Sequence, residues 1–171
     1  MFGTLFIFVT KDVQDKIGIL ANYAGNADCG SHYLTIQSMF EYEKTQNLLR
    51  NLKRPSGART LLRLHRALEF ISHFLHDIAK IENSVSTVGL ARDAYNRTLA
   101  KYHPWYIRKS VHVAVIALPY RGVLIERVYG GNGNVPGPSE VNETMLKMAT
   151  IANQVYEITN KLYEKHDLLD L

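Results

Sequence analysis

Three arginines at the start of a predicted helix are the residues best suited to bind an anion. Arg59, Arg63 and Arg66 follow one another at steps of four and three residues, so they lie on one side of an α-helix. A planar guanidinium group binds the oxygens of a phosphate or a carboxylate in pairs. The spacing therefore indicates a site for an anionic group.

The same side of this helix becomes apolar toward its C-terminal end, where it carries Ala67, Phe70 and Phe74. A face that is cationic at one end and apolar at the other fits a ligand with an anionic head and a hydrocarbon tail. In the alternative interpretation, the arginines lie at the edge of the protein and cover apolar surface with their aliphatic stems. A second helix shifts the weight toward a ligand.

Two charged residues interrupt the apolar arc of the first predicted helix. The arc consists of Leu5, Phe8, Val9, Ile19 and Leu20. Asp12 and Lys16 lie within it, one helical turn apart. Charged groups in such a position lose hydration without compensation unless they are paired or used for binding. Either they form an ion pair with each other, or they bind a polar part of a ligand.

The composition is typical of a globular domain with a modest positive charge. At 171 residues the chain fits one domain, residues 1–171, and 46% of it is apolar. A net charge of +4 favours anionic membrane surfaces or phosphate ligands, but lysine and arginine are not clustered as in nucleic-acid binders. The single cysteine, Cys29, excludes an intrachain disulfide. Neither a signal peptide nor a bilayer-length apolar run is evident, so we expect a cytosolic protein associated peripherally with membranes.

Apolar residues at helical spacing run through the chain, and no alternating strand pattern is evident. The pattern predicts helices at residues 1–20, 31–49, 58–80, 87–102, 105–118, 124–129 and 139–166. We therefore predict an all-α, single-domain fold.

Helical projection also predicts which faces are buried. In the central helix the expected core residues are Leu61, Leu64, Leu68, Ile71, Leu75 and Ile78. The face expected to lie in solvent comprises His65, Glu69, His73, His76 and Lys80. The helix at 105–118 is apolar on nearly every side, so we place it at the centre of a bundle that the last helix closes.

Residue sets for catalysis are not apparent in the sequence. Cys29 has no placed histidine partner, no serine lies in a nucleophile-elbow motif, and no cluster has metal-ligand spacing. The glycine-rich stretch at 130–139 lacks the lysine and hydroxyl of a phosphate-binding P-loop. We expect a binding protein without enzymatic activity, metal or cofactor.

Four motifs, taken in order, resemble the glycolipid transfer protein superfamily. They are DVQDK from Asp12, RTLLRLHRAL from Arg59, YHPW at residues 102–105 and the terminal LYEKHDLLDL. The resemblance is closest to the branch that carries ceramide-1-phosphate. It implies a two-layer helical sandwich and non-enzymatic transfer of ceramide-1-phosphate, or a related phosphosphingolipid, between membranes. A sphingolipid sensor or adaptor that acts through a protein partner, without bulk transfer, is the alternative function; the sequence identifies no such partner.

The resemblance also implies roles for five polar residues at the head of the lipid. Lys16, Arg59 and Arg63 would hold the phosphate. Asp12 would accept a hydrogen bond from the ceramide amide N–H, and His103, held at a bend by Pro104, would donate to the acyl carbonyl. The glycolipid-binding branch has a tryptophan where Arg63 stands, so Arg63 favours a phosphate head.

Apolar residues would then surround the lipid chains, although a lipid pocket and a protein core have the same composition. The expected pocket residues are Phe8, Phe70, Phe74, Val111, Val115 and Leu118. The expected membrane-contact residues are Lys53, Arg54, Tyr102 and Trp105. Aromatic rings favour the membrane interface, and cations favour anionic lipids.

The front of the chain departs from the family pattern. Family members have a further helix ahead of the segment that opens this sequence, so we expect the family's first helix to be lacking. Pocket closure would then be less complete, and Ile7, which projects away from the main apolar arc, would be exposed.

Overall fold

The protein is helical throughout the part that is described. The computed structural model describes residues 3–51, 53–129 and 136–171, with side chains from residue 9 onward. Its α-helices are α1 (Gly3–Ala24), α2 (Ile36–Thr45), α3 (Gly57–Ile78), α4 (Val88–Arg97), α5 (Trp105–Val115), α6 (Arg121–Tyr129) and α7 (Pro138–Lys165). Short 3-10 turns lie at Gly30–Tyr33 and Ala100–Tyr102. Within these ranges the strand-like pairing is limited to one bridge, between Ser86 and Tyr120, so the all-α prediction is confirmed.

The described residues form two compact units, and α3 and α7 contribute to both. Unit 1 contains residues 3–66 and 155–171, and unit 2 contains residues 67–154. The core of unit 1 consists of Met39, Phe40, Ala58, Leu62, Tyr163 and Leu168. The core of unit 2 consists of Ile78, Ala79, Ile125, Val141 and Met145. Among the described helices, each is too short or too polar to cross a bilayer.

Local hydrogen bonds set the ends of α2. Thr35 and Ser38 form a reciprocal capping box, so the helix begins at Ile36 and not at the predicted residue 31. At the other end, Asn47 adopts the left-handed conformation with φ of 54°. Its N–H and that of Leu48 donate to the carbonyls of Lys44 and Glu43. This is the Schellman pattern, and it fixes where α2 ends.

The buried face of α3 differs from the predicted one. His65, expected in solvent, is 4% exposed, whereas Ile71, expected in the core, is 44% exposed. His65 stacks on Tyr156 at a ring distance of 4.3 Å and lies 3.3 Å from Asn160 Oδ1. Aromatic residues from the end of the chain therefore cover this histidine, and projection of α3 alone cannot foresee them.

Helix α5 is also less buried than predicted. Val115 is its buried residue, while Val113 is 69% exposed. Ile116, which follows the last residue of the helix, is 63% exposed. The prediction that this helix lies at the centre of a bundle is wrong. On α7, Met148 and Val155 are similarly exposed, and Val141, Met145 and Ala149 form the buried side within unit 2.

Arg121 is a buried cation that holds unit 2 together. Its Nε donates to the carbonyl of Ile78 at 2.9 Å, near the C-terminus of α3, and its two other nitrogens donate to the side-chain oxygens of Asn83 and Asn142. Burial lowers the pKa of this guanidinium below its ordinary value. A positive charge at a helix C-terminus also interacts favourably with the helix dipole.

Replacement of Arg121 by methionine should destabilise unit 2. Arg121→Met removes the donor from the buried carbonyl of Ile78 and from the side-chain oxygens of Asn83 and Asn142, so we expect the free energy of unfolding to fall by about 2–3 kcal/mol in urea titrations followed by circular dichroism. Arg108→Met, at an exposed arginine on α5, is the matched control, with an expected change below about 0.5 kcal/mol. Equal effects of the two substitutions would contradict this role for Arg121.

Candidate functional site

Asp12 and Lys16 form an ion pair on α1. The Lys16 ammonium donates to Asp12 Oδ1. The Lys16 side chain is 13% exposed, and the Asp12 side chain is 66% exposed. The structure thus shows the pairing that the sequence left open. Pairing does not saturate either group, because a carboxylate accepts at two oxygens and an ammonium has three donors. Both retain the capacity to bind a ligand.

The first two turns of α3 carry cations and no acid. Arg59 is half-buried and Arg63 is exposed, and the first turn of the helix contains no acidic residue. The two arginines are four residues apart, so their side chains lie about 6 Å from each other at Cβ. Two guanidinium groups at this spacing can bind one phosphate from neighbouring sides.

The backbone amides at this helix end are already occupied. Gly57 N and Ala58 N donate to the carboxylate of Glu43 at 2.6 and 3.1 Å. Arg59 N donates to Ser56 Oγ at 3.1 Å, and Thr60 N donates to the Ser56 carbonyl at 2.9 Å. An anion at this helix end would therefore be bound by the arginine side chains and not by the backbone.

Glu43 is the residue of this site that sequence reasoning missed. It falls on the same side of α2 as Ile36, Met39 and Phe40, at steps of three and four residues. A carboxylate within an apolar stripe is the same signal that identified Asp12 on α1. Three of its partners lie 13 to 15 residues further along the chain and a fourth, Tyr33, lies 10 residues before it, so spacing within α2 gives no indication of them.

Helices α1 and α3 share the core of unit 1. Leu20, one turn beyond Lys16, packs against the cluster that contains Ala58 and Leu62 of α3. Asp12, Lys16 and Leu20 recur every four residues, so they lie on one side of α1. Four of the five predicted head-group residues therefore belong to unit 1.

His103, the fifth predicted head-group residue, belongs to unit 2. Its Nδ1 lies 2.9 Å from the hydroxyl of Tyr95, which is 2% exposed. Burial raises the pKa of Tyr95, so its hydroxyl keeps its proton near neutral pH. When the hydroxyl donates to Nδ1, the ring proton resides on Nε2, the atom that can donate to a carbonyl.

The residues predicted to line a lipid pocket lie in unit 2, apart from Phe8, whose side chain lies outside the described residues. Phe70 and Phe74 stack with ring centroids 5.7 Å apart, and Phe74 packs against the core of the unit. Val115 is buried, while Val111 and Leu118 are half-buried. Their role as a chain pocket stays a prediction.

A groove in unit 2 lies apart from the residues predicted to line a lipid pocket. It has a volume of about 610 Å³ and is lined by Asp77, Lys80, Ile81, Leu90, Asp93, Asn96 and Arg97. Burial would raise the pKa of Asp77, but hydrogen bonds from His76 and Arg97 outweigh it and hold this pKa below its ordinary value. The ion pair between Asp77 and Arg97 distinguishes this groove from the apolar residues predicted to surround the lipid chains.

The predicted membrane-contact residues differ in their surroundings. Arg54 is held inside unit 1, with its guanidinium carbon 4.2 Å from the centroid of the Tyr23 ring and a nitrogen 3.3 Å from the Tyr33 hydroxyl. These contacts hold the half-buried Arg54 at the turn before α3, and its contact with a membrane stays a prediction. Lys53 is exposed.

Tyr102 and Trp105 belong to an exposed aromatic and basic surface at the start of α5, here called the α5 patch: Lys101, Tyr102, Trp105, Tyr106 and Lys109. Trp105 is 63% exposed, and the Lys109 ammonium lies 5.2 Å from the centroid of its ring. The Lys101 ammonium lies 5.0 Å from the Tyr102 ring.

Over the described ranges, no group of three or more His, Cys, Asp and Glu residues is arranged to hold a metal.

Comparison with known proteins points to one family. Residues 1–130 match the family model of the glycolipid transfer protein (GLTP). The chain is 40% identical to the ceramide-1-phosphate transfer protein of Xenopus laevis over 99% of this chain and 78% of the relative. It is 36% identical to the human ceramide-1-phosphate transfer protein over the same shares.

A solved structure agrees with this result. The crystal structure of human ceramide-1-phosphate transfer protein in complex with 2:0 ceramide-1-phosphate superposes with a TM-score of 0.86 at 36% identity. The match covers 99% of this chain and 80% of that one. The predicted glycolipid transfer protein fold and the resemblance to the ceramide-1-phosphate branch are therefore confirmed.

The position of Gly57 gives a direct test of the α3 end. A Cβ at this residue would lie 2.8 Å from Met39 Sδ and 2.9 Å from a ring carbon of Tyr33, closer than such atoms approach. We expect Gly57→Ala to lower the free energy of unfolding by about 1–3 kcal/mol, measured in urea titrations.

Gly89, on α4, supplies the matched control for this substitution, because a Cβ there meets no atom within 4 Å. Gly89→Ala should raise the free energy of unfolding by about 0.5–1 kcal/mol, since alanine favours the helix. If Gly57→Ala were as well tolerated as Gly89→Ala, the close packing of Met39 and Tyr33 against Gly57 would be contradicted.

Proposed function

The chain belongs to the glycolipid transfer protein family, a family of lipid-transfer proteins and not of enzymes, and on this premise we propose that it moves ceramide-1-phosphate between membranes. The observation that carries the proposal is the pair Arg59 and Arg63 on an acid-free helix start whose backbone amides are already occupied. A phosphate is the head group that such a pair binds well, because each guanidinium offers parallel donors to two oxygens.

Lys16 and Asp12 complete the proposed head-group site. Lys16 adds a third cation for the phosphate, while Asp12 accepts the ceramide amide N–H. His103 donates from Nε2 to the acyl carbonyl, with Tyr95 holding its other nitrogen. The contacts of Asp12 and His103 are made to the amide N–H and the acyl carbonyl of ceramide, two uncharged groups that all such lipids share. The three cations then distinguish a phosphate from a sugar.

The lipid chains supply most of the binding free energy. Each methylene removed from water contributes about 0.8 kcal/mol. Phe8, Phe70, Phe74, Val111, Val115 and Leu118 are the residues proposed to contact the chains. The half-buried state of the two stacked phenylalanines leaves aromatic surface for such contacts.

The α5 patch is the proposed contact with the membrane, together with Lys53. Trp105 and Tyr102 would enter the interface, and the lysines would meet anionic head groups. Tyr106, Lys101 and Lys109 extend the predicted set. Arg54 belongs to that set as well, with part of its side chain engaged by Tyr23 and Tyr33. We propose a cytosolic protein that contacts membranes transiently.

A transfer assay with fluorescent lipids tests the function. The protein should move ceramide-1-phosphate between vesicles much faster than galactosylceramide. Arg63→Ala should slow ceramide-1-phosphate transfer roughly 10- to 100-fold, because a hydrogen-bonded charge on the phosphate is lost. Circular dichroism should show unchanged helicity, and Arg50→Ala, at an exposed arginine of unit 1, should transfer normally.

Equal transfer of both lipids by the unaltered protein would refute the phosphate assignment. Tight binding of ceramide-1-phosphate without transfer would instead identify a sensor or adaptor. Loss of helicity in Arg63→Ala would show that this arginine supports the fold.

The membrane contact is tested with Trp105→Ala. We expect several-fold weaker binding to vesicles that contain phosphatidylserine, measured by co-sedimentation, because an exposed indole ring is lost from the interface. Tyr120→Ala removes an aromatic ring of similar exposure outside the α5 patch and should bind as the unaltered protein does. Indifference of vesicle binding to Trp105→Ala would rule out the α5 patch as the docking surface.

A further inference from the structure

We propose that Glu43 is a positioning residue that determines selectivity for a phosphate head by holding Arg59 and Arg63 in place. The inference rests on the proposed function, since it assigns a role within the same site. Glu43 lies on α2, touches neither arginine side chain in any contact described above, and would act through the start of α3.

The carboxylate of Glu43 is buried and fully engaged. Its residue is 1% exposed, and both oxygens accept hydrogen bonds. Oε1 accepts from Gly57 N at 2.6 Å and from the Tyr33 hydroxyl at 2.9 Å. Oε2 accepts from the Ser56 hydroxyl at 2.6 Å and from Ala58 N at 3.1 Å. Four donors around one carboxylate compensate for its lost hydration.

One of these donors, Ser56, links Glu43 to the backbone of Arg59. The Ser56 hydroxyl that donates to Glu43 also accepts from Arg59 N at 3.1 Å. With its proton directed to Glu43, the Ser56 oxygen presents its lone pairs to the Arg59 amide. Arg59 is thus joined to the buried carboxylate through a single serine, and Arg63 follows one turn later on the same rigid helix.

Several features hold Glu43 itself in position. Its backbone carbonyl accepts from Leu48 N at 2.8 Å in the Schellman end of α2. Tyr33, which donates to its side chain, also receives a hydrogen bond from Arg54. Burial and the hydrogen bond to Glu43 raise the pKa of Tyr33, so this hydroxyl stays protonated. The carboxylate is therefore a fixed reference point for the start of α3.

The charge of Glu43 also has an electrostatic effect. A helix N-terminus carries partial positive charge, and arginines in the first two turns add to it. A carboxylate at the end of the helix balances this charge when no ligand is bound. It also occupies the amides of Gly57 and Ala58, so selectivity depends on the cationic side chains and not on these amides.

Glu43→Gln tests the proposal, with Glu41→Gln as the matched control, because Glu41 is an exposed acid on the same helix. The readout is the ratio of dissociation constants for short-chain ceramide-1-phosphate and short-chain ceramide, measured by calorimetry. A glutamine donates where Glu43 accepts, so we expect preference for the phosphate lipid to fall about tenfold, with ceramide binding unchanged. Glu41→Gln should leave the ratio unaltered.

Two further variants separate positioning from simple stabilisation. In an Arg59→Ala, Arg63→Ala background, Glu43→Gln should cause little additional loss of preference, since the two guanidinium groups that Glu43 is proposed to position are already absent. Ser56→Ala breaks the connection to Arg59 with a smaller change and should reduce the ratio in the same direction. Ser56→Ala also keeps the proposal testable if Glu43→Gln fails to fold.

The outcomes distinguish this inference from the proposed function. An unchanged ratio, or an equal loss for both lipids, would overturn the role of Glu43 while leaving ceramide-1-phosphate transfer intact. No preference for the phosphate lipid in the unaltered protein would overturn the proposed function and this inference together.

Discussion

The site depends on one electrostatic constraint: arginine side chains lie near the N-terminus of α3, where the helix dipole is already positive. The first turn of this helix contains Arg59 and no acid, and Arg63 follows one turn later. Each cation near a helix N-terminus is unfavourable by about 0.3–1 kcal/mol, and like charges four residues apart repel each other. Such an arrangement reduces the stability of the helix unless an anion balances it. The protein has one anion built in, Glu43, and the proposed ligand supplies the second.

The two anions act at different places. Glu43 binds the backbone amides from inside the core of unit 1, where it is shielded from water. The ligand phosphate would meet the side chains, because Arg63 is exposed and the amides are no longer available. Recognition by side chains would let one helix serve different head groups, because a change at position 63 would alter the chemistry without altering the helix end. The ceramide contacts proposed for Asp12 and His103 would not need to change.

Much of this could be predicted from the sequence, because helices and their charged interruptions are local features. The central helix and the all-α class follow from periodicity, as does the pairing of Asp12 with Lys16 as one of two alternatives. The arc around them is more exposed than predicted, with the Asp12 side chain 66% and Val9 59% exposed. The burial of His65 could not be predicted, since Tyr156 and Tyr163 stack on it from residues some ninety positions away. The predicted burial of α5 was wrong for a related reason, because apolar composition does not reveal whether a helix face contacts protein, lipid or water. Glu43 has a local signal, an acid on an apolar stripe, but its partners lie on other segments of the chain.

Competition between two lipids, observed by native mass spectrometry, tests the central claim most directly. The protein would be incubated with vesicles that contain equal amounts of ceramide-1-phosphate and galactosylceramide, and the masses of its complexes would be recorded. The account predicts that the complex with ceramide-1-phosphate dominates. A spectrum in which the galactosylceramide complex is equally abundant or more abundant would contradict it, because the arginines of α3 would then not select the head group.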